Sequence, residues 1–172
     1  GRLAVYRVCP EGSGTVLPPD QWQVVGKLED VRLAGANRVM VGGHFAYVGS
    51  ALSPEAPKDG RLVANASVVD LSDPSAPRLR GVLAFPDARG PNGLERVGDR
   101  VYAAGGQTVQ AIDVSDPDKP RETARASLGW ILPGGADDLH DLVYRDGFLF
   151  VTAQTTDAVV VLRLEEDRKS VV

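Results

Sequence analysis

One stretch of this chain occurs twice and limits the folds open to it. Val68-Val69-Asp70-Leu71-Ser72-Asp73-Pro74-Ser75-Ala76-Pro77 is followed by Ala111-Ile112-Asp113-Val114-Ser115-Asp116-Pro117-Asp118-Lys119-Pro120. In each copy an apolar strand runs into Asp and then into Ser-Asp-Pro-x-x-Pro, with Asp70 and Asp113 43 residues apart. A repeat of that period implies a stacked or ring-shaped array of small units. Around it, short apolar runs of period two alternate with Gly and Pro, and no 3.6-residue stripe is sustained. That pattern indicates an all-β chain.

The strands group into a recurring unit. Arg38–Val41, the turn Gly42-Gly43-His44 and Phe45–Gly49 form a hairpin, and Leu62–Leu71 is the Asp-bearing strand. Leu79–Phe85 returns after the prolines. Leu94–Ala104, Val109–Val114 and Glu122–Ser127 repeat the order. Leu142–Thr152 and Ala158–Leu164 begin it a third time, with Arg163 in the Asp position. Leu3–Val8 and Gln21–Leu28 read as the last two strands of an earlier unit, with Arg7 in that position. Equivalent hairpin residues Ala46, Val101 and Leu149 are spaced 55 and 48 residues apart. Four strands at that spacing describe a β-propeller blade.

The fold expected is a segment of a β-propeller built from four-stranded antiparallel blades, about three to three and a half of them. Its parts are the back half of a first blade (1–28), a second blade (29–85) with an inserted loop at 50–60, a third (86–127), and the front part of a fourth with a tail (128–172). This count falls below the usual four to eight blades. The chain is therefore expected to be part of a larger propeller, completed by the remaining blades or by another protein chain. The sequence opens on a strand without an initiator Met, which suggests a removed leader or a piece of something longer.

The Asp-x-Ser-Asp-Pro-x-x-Pro motif after an apolar strand, with Gly43-His44-Phe45-Ala46-Tyr47-Val48 before it, resembles the LVIVD-repeat β-propeller proteins of bacteria and archaea. The resemblance spans most of residues 30–165. It implies a propeller on an exported or surface protein, hence an extracytoplasmic location, and it brings no common catalytic signature.

Charge and composition remove other classes. A net charge of −4 with scattered Lys and Arg offers no basic stripe for nucleic acid. No apolar run is long enough to span a membrane as a helix. Cys9 is the single cysteine, so no disulfide forms within the chain. There is no Gly-x-Ser-x-Gly elbow and no phosphate-binding glycine loop.

Three features carry the functional expectations. Asp73 and Asp116 in the repeated motif read as turn formers, since Ser and Asp bond nearby amides and Pro fixes φ. A cation site is the competing reading. His140, with Asp137, Asp138 and Asp141, is the densest cluster of metal-ligating side chains. Hairpin alignment puts His140 level with Asn37 and Asn92 where each unit enters its first strand, so Asn37, Asn92, His140 and Asp141 are the candidate ligand residues of one channel mouth. A divalent metal there, on Asp137, Asp138 and His140, is the one cofactor left open; none is otherwise predicted. Trp130, Ile131 and Leu132 form an apolar loop that suits an interaction surface. Two functions follow. The first is a non-catalytic propeller module for protein–protein interaction or assembly. The second is a metal-binding or enzymatic site at the channel mouth, centred on His140.

Overall fold

The computed structural model describes residues 1–50, 64–85, 90–130 and 139–165. The described residues form an all-β protein of four separate antiparallel sheets. Strands β1 (Arg2–Arg7) and β2 (Gln23–Glu29) make a two-stranded first sheet. The second sheet runs β3 (Ala36–Gly42), β4 (Phe45–Ser50), β5 (Ala64–Asp70), β6 (Arg78–Phe85) in spatial order. The third runs β7 (Gly93–Val97), β8 (Arg100–Gly105), β9 (Thr108–Asp113), β10 (Arg121–Ser127). The fourth has three strands, β11 (Leu139–Arg145), β12 (Phe148–Ala153) and β13 (Ala158–Arg163). These are propeller-type blades, and the described residues do not close them into a ring.

Local chemistry explains the units. The β3–β4 and β7–β8 hairpins turn on Gly43 and Gly98, whose φ of 63° and 60° an L-residue with a Cβ adopts only at a cost. The third strand of each complete sheet is buried on both faces and is rich in Val, Ala and Ile, as in β5 and β9. The outer β10 is exposed throughout and polar, as Arg-Glu-Thr-Ala-Arg-Ala-Ser requires.

The sheets pack face to face, and each buries alternate residues against its neighbour. Leu33, Ala46, Val48 and Val69, with Leu3 and Leu28, form the core between the first and second sheets. Leu33 reaches it from a single 3-10 turn, Val31–Leu33. Asp30 caps that turn, accepting the Arg32 amide at 2.8 Å and pairing with its guanidinium. Tyr47, Val68, Leu94, Val101 and Ile112 fill the second junction. Tyr102, Ala104, Leu142, Leu149 and Val151 fill the third.

Register shows how the units correspond. Met40, Tyr47 and Val68 pair across β3–β4–β5. Glu95, Tyr102 and Ala111 pair across β7–β8–β9, and Val143, Phe150 and Val161 across β11–β12–β13. In the second and third sheets the central ring, Tyr47 or Tyr102, lies on the face turned towards the next sheet, and Phe150 holds the same register position in the fourth.

Candidate functional site

Two regions concentrate the specific contacts: the repeated corner, and the place where the first strands of successive sheets meet. The corner is a chain of Asx-type turns. Asp70 accepts the Ser72 amide and Asp113 the Ser115 amide, both at 2.9 Å. Asp73 accepts the Ser75 amide at 2.9 Å and Asp116 the Asp118 amide at 3.0 Å. Local bonds to the charged form lower a carboxyl pKa. The Ser115 hydroxyl and amide, helped by the Arg121 guanidinium, hold the Asp113 carboxyl at about 2. The Ser72 and Ser75 groups likewise draw Asp70 and Asp73 below the usual range.

The corners also dock. The Pro74–Pro77 corner of the second sheet lies on Gly26 in β2 of the first, where an added Cβ would run into the Pro74 carbonyl oxygen and stand 3.0 Å from Pro77 Cδ. The Pro117–Pro120 corner of the third sheet lies on Gly81 in β6 in the same manner. A Cβ there would stand 2.6 Å from the Pro117 oxygen and would overlap Pro120 Cδ. Both glycines are buried and neither has a positive φ, so lack of space, not backbone conformation, requires glycine. Arg80, next to Gly81, grips the same corner. Its Nε and one terminal nitrogen donate to the two Asp118 oxygens at 2.7 Å each, and its other nitrogen donates to Asp70 at 3.1 Å. The Arg80 guanidinium pulls the Asp118 carboxyl below its ordinary range.

The third sheet departs from this pattern in a consistent way. Gly26 and Gly81 each stand three residues beyond the partner of the Asp position, Gln23 opposite Arg7 and Arg78 opposite Asp70. The same count from Arg121, opposite Asp113, reaches Ala124. Ala124 is exposed, and the following unit has Arg163 in the Asp position with no Ser-Asp-Pro after it. Among the described residues glycine is present where a corner docks and absent where none does. Sequence reasoning identified the corner as a turn but missed its seat. The available signal was a glycine inside an outer strand, which marks close approach by other backbone.

At the second region, β7 lies between β3 and β11, all three being first strands of their sheets. Asn37 donates to the Asn92 side-chain oxygen at 3.0 Å, and Asn92 donates to the Leu139 carbonyl at 3.1 Å. Arg38 reaches Asp141 at 2.7 Å, and Asp141 also accepts the Leu142 amide at 2.9 Å. Gly93 lets β11 come close, since a Cβ there would stand 2.9 Å from Asp141 Cα. Three of the four candidate ligand residues, Asn37, Asn92 and Asp141, thus lie in hydrogen bonds that tie the first strands together. His140 is exposed on β11 beside them. Asp137, Asp138, Ile131 and Leu132 lie outside the described residues, while Trp130 is almost fully exposed. Among the described residues no three His, Cys, Asp or Glu side chains gather as metal ligands.

Blade-like four-stranded sheets, stacked and locked by a repeated proline corner, define a repeat protein of the propeller type. Residues 56–84 match the family model of the LVIVD repeat, which spans β5, the first Ser-Asp-Pro corner and most of β6. The chain carries an LVIVD repeat, as its motif suggested. No curated protein matches it in sequence.

Proposed function

We propose that this chain is a non-catalytic assembly module that binds further protein through the open faces of its end sheets. One observation carries the reading. The aromatic residue at the centre of each forward face is covered in the second and third sheets, where Tyr47 is 3% and Tyr102 8% exposed, but its counterpart Phe150 is 37% exposed. Val143 and Val161, its cross-strand partners, are exposed too. A row of apolar side chains across three strands is unusual on a surface that meets only water, and aromatic anchors of this kind dominate interfaces.

The channel-mouth reading has less support. The polar groups of Asn37, Asn92 and Asp141 are engaged with one another and with backbone, which suits holding strands together better than holding a ligand. Family resemblance favours an extracytoplasmic location. Among the described residues no helix is long and apolar enough to cross a membrane.

Sedimentation velocity on the chain and on Phe150→Lys tests the assembly reading. The chain associates with rising concentration, and Phe150→Lys, altering a side chain already partly in solvent, stays monomeric with an unchanged Tm. A chain that is monomeric across the whole range contradicts it.

A further inference from the structure

The opposite end of the stack is open in a different way. The first sheet has two strands where the second and third have four. Among the described residues β1 pairs only with β2, so its other edge offers unpaired backbone amides and carbonyls. Beside that edge lies a groove of about 570 Å³. Its wall includes Arg2, Leu3, Ala4, Val5 and Tyr6. Consecutive residues of a strand point to opposite faces, so all five border one groove only if it runs along the strand edge. The floor is the rear face of β3 and β4, including Val39, Val41, Ala46 and Val48.

Val39 and Val41 are 58% and 61% exposed, whereas Val48 and Ala46, their partners on β4, are buried. The first sheet covers β4 and stops short of β3. At the second junction the counterpart of Val39 is Leu94, which is buried because the β3–β4 hairpin of the preceding sheet lies over it with Met40 and Tyr47, and the counterpart of Val41 is Arg96, which bonds the Gly42 carbonyl of that hairpin. The groove therefore continues an established sheet-on-sheet core, and it is vacant where an inner hairpin would sit.

We infer that the groove beside β1 binds a two-stranded β-hairpin, the inner hairpin of a further sheet of this repeat, which adds to the free edge of β1 and covers Val39 and Val41. The inference rests on the assembly reading and names its partner at this end. Recognition combines backbone pairing along six residues of β1 with apolar side chains from alternate positions of the incoming strand. A fit requires strands of about six residues with a bulky apolar side chain at the position that Tyr47 holds in β4.

The chain supplies its own probe. A backbone-cyclised peptide of residues 36–50, the β3–β4 hairpin, is titrated against the full chain by fluorescence anisotropy, with hydrogen exchange followed in β1. Saturable binding is expected, with slowed exchange in Leu3–Tyr6. Val41→Asp in the chain weakens binding at least tenfold, and so does Tyr47→Asp in the peptide. Val41 is exposed, so its replacement leaves the fold intact, and an unchanged Tm verifies this. No saturable binding, or binding indifferent to both substitutions, overturns the inference. Phe150→Lys reports on the assembly reading at the other end, so the two can fail separately.

Discussion

Replacing Gly81 by Ala asks whether the corner is a lock or an incidental turn. The new methyl group would stand 2.6 Å from the Pro117 carbonyl oxygen and 3.0 Å from the Asp118 carbonyl carbon. Both are backbone atoms and cannot rotate away. Ordinary contact begins near 3.4 Å, so the corner must retreat by roughly 0.8 Å, which strains the two 2.7 Å bonds from Arg80 to Asp118. Overpacking of this kind costs about 1–3 kcal/mol. Restricting the unfolded chain returns about 0.4–1 kcal/mol, because the φ at Gly81 suits alanine. Two fixed backbone contacts put the overpacking cost in the upper half of its range, about 2–3 kcal/mol, so the balance is a loss of about 1–2.6 kcal/mol, a fall in Tm of about 2–10 °C for a chain of this size. Ala124→Gly is the matched control, at the same place in β10 with no corner above it. It loses about 0.5–1 kcal/mol through backbone entropy alone. Thermal and urea unfolding by circular dichroism measure both. A Gly81→Ala chain as stable as the parent, or more stable, refutes the lock.

Gly26→Ala loses stability for the same reason, since its Cβ would run into the Pro74 carbonyl; chemical denaturation shows it. The corner also responds to acid. Asp113 has a folded pKa near 2 against a reference of 3.8, so its contribution is complete above about pH 4 and is lost as pH falls towards 2. Asp113→Asn flattens the unfolding midpoint across that window, and an unaltered pH profile counts against the assignment. Asn92→Ala removes its bonds to Asn37 and to the Leu139 carbonyl and costs about 1–2 kcal/mol. His140→Ala, at an exposed side chain, leaves Tm unchanged.

Strand content and repeat period were legible because period-two alternation and Gly/Pro punctuation are local signals. The Asp-x-Ser-Asp-Pro turns were legible too, since every bond in them spans a few residues. Aligning hairpins placed Asn37, Asn92 and His140 at one level; the hydrogen bonds run from Asn37 to Asn92 and from Asn92 to the Leu139 carbonyl, and His140 takes no part in them. The seat of each corner was not legible. Gly26 meets Pro74 and Gly81 meets Pro117 across stretches of sequence that include whole strands, and only packing brings them together. The open groove was equally hidden. Val39 and Val41 look like any buried strand residues, and their exposure follows from how far the neighbouring sheet extends.

Hydrogen exchange across the whole chain tests most directly the claim that complete sheets are locked together and the end sheets are open. β5 and β9 are paired on both sides and covered on both faces, so their amides are predicted to exchange slowest, at rates set by global unfolding. β1, β2 and β13, at the open ends, are predicted to exchange far faster. Equal protection in β1, β13, β5 and β9 contradicts the account.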